Sequence, residues 1–218
     1  MAQIKAILLD VDGTILNTLE FMYHAFHTAF TANNLTCPTR EEIRLQMAGG
    51  ETLRQVYGFF YPEADLDKLI AAHKASQLEN LDLAIPYPNT ISTLQKLKAA
   101  GFKLAAVSTR SNVTLMKTME LTGVAQYFDT IISGDDTEKH KPDPAPLLLA
   151  LERLKIPPAE AIMVGDTDGD IYAGKNAGTK TIGVTFGFRG EQIAKDNPDF
   201  VIHDISEILA ICLPTTGK

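Results

Sequence analysis

A chain of 218 residues with 45% apolar side chains carries enough hydrophobic material for one substantial core, or for one core and a small satellite domain. Its 20 basic and 27 acidic side chains give a net charge of -7 and leave no basic stripe, which argues against sequence-independent nucleic-acid binding and means that an anionic ligand must be held locally. Two cysteines, Cys37 and Cys212, in neither a CxxC nor a Cys/His spacing, argue against a disulfide framework or a zinc site. With no signal-like start and no run of membrane-spanning length, a cytoplasmic protein with no membrane partner is expected.

In chain order, a short apolar run at Ile4–Leu9 leads into the acidic segment LLDVDGT, Leu8 to Thr14. The interval from about Leu16 to Leu83 then shows no convincing strand but several helical segments, punctuated by Pro38, Gly49-Gly50 and Pro62. A helical cap domain over residues 16–85 is expected there, returning through IPYP, Ile85 to Pro88, as a stiff linker. From that point the pattern alternates. Helices are expected at Thr90–Ala100, Asn112–Leu121, Pro144–Leu154 and Asp170–Ala177, and strands at Lys103–Val107, Thr130–Ile132, Ala161–Val164 and Thr181–Val184, with a weaker one at Phe200–Ile202. The apolar runs do not alternate with polar residues, so they read as strands buried on both faces, while Gly101, Gly123 and Gly178 lie near helix ends. The expected fold is α/β, a doubly wound, Rossmann-like parallel sheet built from residues 1–15 and 86–218, with the cap inserted between them.

Asp10, Ser108 and Asp166 all fall at the carboxyl ends of expected strands, where open α/β sheets bind their ligands. Asp10 and Asp12, together with Asp166 and Asp170 of IMVGDTDGD, bring four short carboxylates to two strand ends. Buried and unpaired, such charges pack poorly, but they make a good cage for a hard divalent cation. Adding the Ser108 hydroxyl and the Lys141 ammonium of KHKPDP gives a set suited to phosphoryl transfer through an aspartyl-phosphate, with a cation screening the nucleophile from the phosphate.

These residues make the chain resemble the haloacid dehalogenase superfamily, on its phosphatase side, over nearly its whole length. The DxDGT motif stands as Asp10 to Thr14, the strand-end hydroxyl as Ser108, the lysine before PxP as Lys141, and GDxxxD as Asp166 and Asp170. The resemblance implies that Asp10 is the nucleophile and Asp12 the general acid/base. It implies Mg2+ bound by Asp10, the backbone carbonyl of Asp12 and Asp166, with Asp170 a ligand or just behind one. Ser108 and Lys141 would grip the phosphoryl oxygens, with backbone amides around Asp12, Gly13 and Thr109 completing the cradle. An aspartate at position 12 argues for phosphate ester or anhydride cleavage, because dehalogenases of the superfamily lack it there and phosphonate-cleaving members replace it. The cap is similar to that of phosphoglycolate phosphatases, a bacterial pyrophosphatase and β-phosphoglucomutase, and GDTDGDIYAGKNAG resembles the first two most. The expectation is a phosphatase acting on a small phosphorylated substrate, as monomer or homodimer. A sugar phosphomutase and a noncatalytic phospholigand-binding module are the alternatives.

Substrate recognition is expected in the cap segment RLQMAGGETLR, where Gly49 and Gly50 permit backbone approach and Arg44 or Arg54 can meet a carboxylate or distal phosphate. A helix-helix turn with solvated arginines is the plainer alternative. His24 and His27, one turn apart among Phe21, Tyr23, Phe26 and Phe30, read as a packed helix rather than a metal pair, and His140 as a residue lining the cleft. Asp135 and Asp136 read as loop charges at its rim. Residues 166–170 imitate the start of a calcium loop, but Ile171 and Ala177 occupy the places that need glycine and glutamate.

Overall fold

The uninterrupted apolar runs become strands because their side chains alternate between two helical layers that are both apolar. In the computed structural model, which describes residues 3–49 and 51–213, the strands β1 (Ala6–Leu9), β4 (Lys103–Val107), β5 (Thr130–Ile132), β6 (Ala161–Gly165), β7 (Lys180–Val184) and β8 (Phe200–Ile202) form one six-stranded sheet. Its order is β5-β4-β1-β6-β7-β8, and every neighbouring pair is parallel. Ile7 and Leu9 of β1 pack with Leu94 and Leu97 of α5 (Thr90–Ala99) and with Leu115 and Met119 of α6 (Asn112–Leu121). Ala6 and Leu8 pack on the other face with Leu147 and Leu151 of α7 (Ala145–Leu154) and Ala173 of α8 (Asp168–Ala177). The result is the expected α/β architecture. With β1 flanked by β4 on one side and β6 on the other, three neighbouring carboxyl ends open into one crevice.

Among the described residues between β1 and α5 stand four α-helices: α1 (Leu19–Ala32), α2 (Arg40–Met47), α3 (Leu53–Phe60) and α4 (Leu66–Glu79). They enclose their own apolar cluster, in which Phe26, Phe30, Tyr57 and Leu69 are fully buried. Phe188, from the loop after β7, joins this cluster and anchors it to the sheet. The aromatic face of α1 is therefore packing, and His24 turns its Nδ1 to Ser76 Oγ at 3.3 Å.

The expectation of no strand in the interval is corrected. Leu16–Asn17 (β2) pairs antiparallel with Ile85–Pro86 (β3), so the return segment is one arm of a ribbon as well as a linker. Two residues are too few to leave an alternation in the sequence. The helix placed at Asp170 begins at Asp168, because Thr167 caps it in a reciprocal box with Asp170.

One buried group gives the helical unit a pH dependence. His73 of α4 is fully buried, with Nδ1 2.9 Å from Tyr57 Oη and its ring edge-on to Phe26 at 4.6 Å. Burial first, then the positive charges of Arg110 and Lys74, hold its pKa down from 6.5 to about 3. The unfolded chain takes up the proton first, so this contribution to stability is complete above pH 6.5 and is lost as the pH falls toward about 3. At pH 5 the loss is about 2 kcal/mol. Urea denaturation at pH 8 and pH 5 is expected to show a smaller difference for His73→Phe than for the parent chain. Equal differences would place the acid sensitivity elsewhere.

Candidate active site

Asp10, Ser108 and Asp166 are each the first residue beyond a strand, following β1, β4 and β6. Asp170 stands in the first turn of α8, and Lys141 comes from the loop between β5 and α7. Lys141 Nζ donates to Asp10 Oδ1 at 2.5 Å, to Asp170 Oδ1 at 2.5 Å and to the Val107 carbonyl at 3.1 Å. Asp166 accepts from the Phe188 N–H at 2.6 Å and from Thr14 Oγ1 at 3.3 Å. The second oxygen of Asp170 accepts from the Thr167 hydroxyl at 2.7 Å.

Asp10, Asp166 and Asp170 are buried and offer carboxylate oxygens within 4.8 Å of one another. Among the described residues this is the one such group of three or more acidic, histidine or cysteine side chains. Burial raises the Asp10 pKa to about 7, reinforced by the charges of Asp170 and Asp12 and opposed by Lys141. Asp166 is pushed well above its ordinary value by burial and by Asp10 and Asp170. Burial works against the charged form of Lys141 too, but Asp10 and Asp170 outweigh it and keep the ammonium charged. The pressure on Asp10 and Asp166 to hold protons is what crowding three carboxyls beside one ammonium produces, and an all-oxygen donor set of this kind fits a hard divalent cation, whose charge would favour the ionised forms.

The backbone closes tightly on this cluster. Gly13 has φ +83°, and a Cβ there would lie 2.3 Å from Asp166 Oδ2. A Cβ on Gly187 would meet the same oxygen at 2.3 Å. Glycine at both places lets two chain segments press against one carboxylate.

Asp12 is set apart from the three-carboxylate group, and its Oδ1 accepts from Arg110 Nη1 at 3.3 Å. Ser108 Oγ accepts from the Arg110 N–H at 3.1 Å, which leaves the hydroxyl proton for a ligand. A cavity of about 40 Å3 is bounded by Asp10, Asp12, Thr109 and Lys141 below and by Met47 and Glu51 of the helical unit above. A second cavity of about 210 Å3 shares Met47, Glu51 and Thr109 with it and extends to Arg54, Lys74 and His140.

The sequence-derived site residues thus separate into groups. Asp10, Lys141, Asp166 and Asp170 meet directly; Gly13 abuts Asp166; Asp12, Ser108 and Thr109 line or adjoin the same crevice. Arg44 does not reach either of these two cavities, because its guanidinium is bound to the Glu41 carboxylate at 2.7 Å and to the Phe188 carbonyl. Arg54 lines the larger cavity and also pairs with Asp67. Gly49 borders a further cavity beside Glu51 and Asp168, and Gly50 lies outside the described residues. Asp135 binds the Asn112 N–H at 2.7 Å, and Asp136 binds Ser133 and Arg153. Sequence reasoning missed Arg110 and Lys74, and it took in Glu51 only as an unremarked member of the segment RLQMAGGETLR. Glu51 was adjacent to the glycine pair already singled out, whereas an arginine just past a strand end and a lysine on a helix carry no signal by themselves.

A model of the family described as haloacid dehalogenase-like hydrolase matches residues 7–184. Pyrophosphatase PpaX of Bacillus velezensis is 37% identical over 215 residues, covering 96% of each chain. Among solved structures, one described as a predicted phosphoglycolate phosphatase from Haemophilus somnus 129pt has a TM-score of 0.88 at 27% identity, covering 97% of this chain and 99% of that one. A mutant of CbbY from Rhodobacter sphaeroides in complex with xylulose-(1,5)bisphosphate has a TM-score of 0.82 at 27% identity, covering 94% and 96%.

Proposed function

The chain belongs to the haloacid dehalogenase-like hydrolases, and we propose that it is a Mg2+-dependent phosphatase that passes a phosphoryl group from a small phosphorylated substrate to Asp10 and then to water. The observation that carries this is Asp10 itself. Its carboxylate is held by Lys141 at the floor of a cavity, beside two further buried carboxylates and within reach of an aspartate that is not part of their group. Pyrophosphate is the first substrate to test, because a relative 37% identical over 96% of both chains is named for it.

Asp10, Asp166 and the carbonyl of Asp12, with Asp170 alongside, would hold Mg2+, which supplies the positive charge that offsets repulsion between Asp10 and an incoming phosphate. Asp10 attacks phosphorus, and the bond to the leaving oxygen breaks as that oxygen takes a proton from Asp12. Asp12, now a carboxylate, removes a proton from the water that attacks the aspartyl-phosphate, releasing phosphate and restoring Asp10. The Ser108 hydroxyl and Lys141 donate to the non-bridging oxygens. Residues 16–85 act as a cap that excludes bulk water and places Glu51, Arg54 and Lys74 around the leaving group.

Phosphate release from pyrophosphate, phosphoglycolate, sugar phosphates and nucleotides is expected with Mg2+ and is expected to stop on thorough chelation. Full turnover in chelator would overturn the proposal. Product analysis with β-glucose 1-phosphate and a bisphosphate primer distinguishes the phosphomutase alternative. Arg54→Ala and Lys74→Ala are each expected to raise KM for a substrate with a second anionic group by roughly tenfold, the worth of about 1.4 kcal/mol, with a much smaller change for nitrophenyl phosphate. Equal changes for both substrates would assign these cations a purely structural role.

A further inference from the structure

Arg110 is a charged residue buried between the sheet domain's catalytic loop and the helical unit, and nothing in the phosphoryl-transfer scheme above uses its side chain. We infer that Arg110 is a positioning residue that holds the Asp12 carboxylate in its working orientation and ties that orientation to the seating of helix α1; the inference rests on the phosphatase reading.

A buried guanidinium costs several kcal/mol to desolvate, and here Nε has no hydrogen-bond partner among the described residues, so the contacts of Nη1 and Nη2 carry its placement. Here Nη2 donates to the Thr114 carbonyl at 3.0 Å and to Thr118 Oγ1 at 2.8 Å, which clamps the group to α6. Nη1 is thereby presented to Asp12 Oδ1 at 3.3 Å, the only side-chain partner of that carboxylate among the described residues. The backbone N–H of the same residue fixes Ser108 Oγ. One residue thus sets the direction of the proton-handling carboxylate and of the hydroxyl that faces the phosphoryl group.

The other face of the guanidinium lies 4.7 Å from the ring centroid of Phe21, a buried residue of α1. That contact comes from the inserted helices, whereas the Thr114, Thr118 and Ser108 contacts come from the sheet domain. Seating α1 covers the cation with an aromatic face and shuts water from the Arg110–Asp12 pair, strengthening it. Withdrawing α1 wets the pair and loosens Asp12. Proton transfer is thereby coupled to the presence of the cap over the substrate.

The test measures kcat, KM and the fraction of enzyme carrying phospho-Asp10 after acid quenching during turnover of pyrophosphate. It compares the parent chain with Arg110→Met, Arg110→Lys, Phe21→Leu and, as a control, Asp12→Ala. Because Asp12 activates the water of the second step, Arg110→Met is expected to lower kcat by about 100-fold, to lower KM in parallel because that step becomes limiting, and to accumulate phospho-Asp10. Arg110→Lys is expected to recover part of the rate. Phe21→Leu is expected to shift kcat and phospho-Asp10 in the same direction by a smaller factor, and it carries the test with Arg110→Lys if the methionine variant does not fold. A phospho-Asp10 level that stays at the parent value while Asp12→Ala accumulates it overturns the role of Arg110 and leaves the phosphatase reading standing. An increase in KM alone makes Arg110 a ligand-binding residue and overturns it as well. Hydrolysis without phospho-Asp10 in the parent and in Asp12→Ala overturns the reading and the inference together.

Discussion

Replacing Asp10 with asparagine is expected to reduce phosphate release by roughly ten-thousandfold or more while the protein stays folded. The amide retains the shape and an oxygen for the Lys141 contact, which is 2.5 Å long in the parent, but it cannot attack phosphorus. Thermal melting in chelator at pH 8 separates this from a folding defect, and the direction of the effect follows from linkage. Burial, reinforced by Asp170 and Asp12 against the opposing charge of Lys141, holds Asp10 at about 7 against 3.8 in the unfolded chain, so the folded state binds the proton more tightly and stability is lost as the pH rises through that interval. Above it the Asp10 carboxylate destabilises the metal-free protein. Asp10→Asn is therefore expected to melt no lower than the parent in chelator at pH 8, and to lose most of the parent's stabilisation by Mg2+. A variant that melts well below the parent would attribute the lost activity to the fold.

Asp12→Ala is expected to affect substrates according to the basicity of their leaving group. An alkoxide needs a proton as it departs and a nitrophenolate hardly does, so alkyl phosphates are expected to lose about 100- to 10,000-fold in the first step and nitrophenyl phosphate far less. Both lose the base that activates water in the second step. With the nitrophenyl ester the variant is expected to give a burst of phenolate followed by slow turnover. Equal losses for both esters without a burst would remove Asp12 from proton transfer. In the structure its carboxylate is free of the three-carboxylate group and accepts from Arg110 Nη1.

The sheet was legible because each of its strands is a short apolar run, and the candidate catalytic residues were legible because Asp10, Ser108 and Asp166 each directly follow such a run. No knowledge of tertiary contacts was needed to place them at one edge. The β2–β3 ribbon was not legible, since a pair of two-residue strands has no period to detect. The starts of α2 and α3 did leave a signal, Thr39 three residues before Glu42 and Thr52 three before Gln55, and both form reciprocal capping boxes. The arginines show where sequence runs out. Arg44, Arg54 and Arg110 look alike as residues, yet Glu41 and the Phe188 carbonyl occupy the first, Asp67 pairs with the second at the edge of a cavity, and Phe21 buries the third against Asp12. Those fates depend on neighbours brought together only by folding.

Locating the transferred phosphoryl group decides whether Asp10 is the nucleophile. Asp12→Ala mixed with pyrophosphate and Mg2+, quenched in acid within one turnover and mapped by peptide mass spectrometry, is expected to carry one phosphoryl group on Asp10 and none elsewhere. Release of phosphate from an enzyme that carries no phosphoryl group at any quench time, or a phosphoryl group on another residue, would contradict the assignment of Asp10 as the group that takes the phosphate.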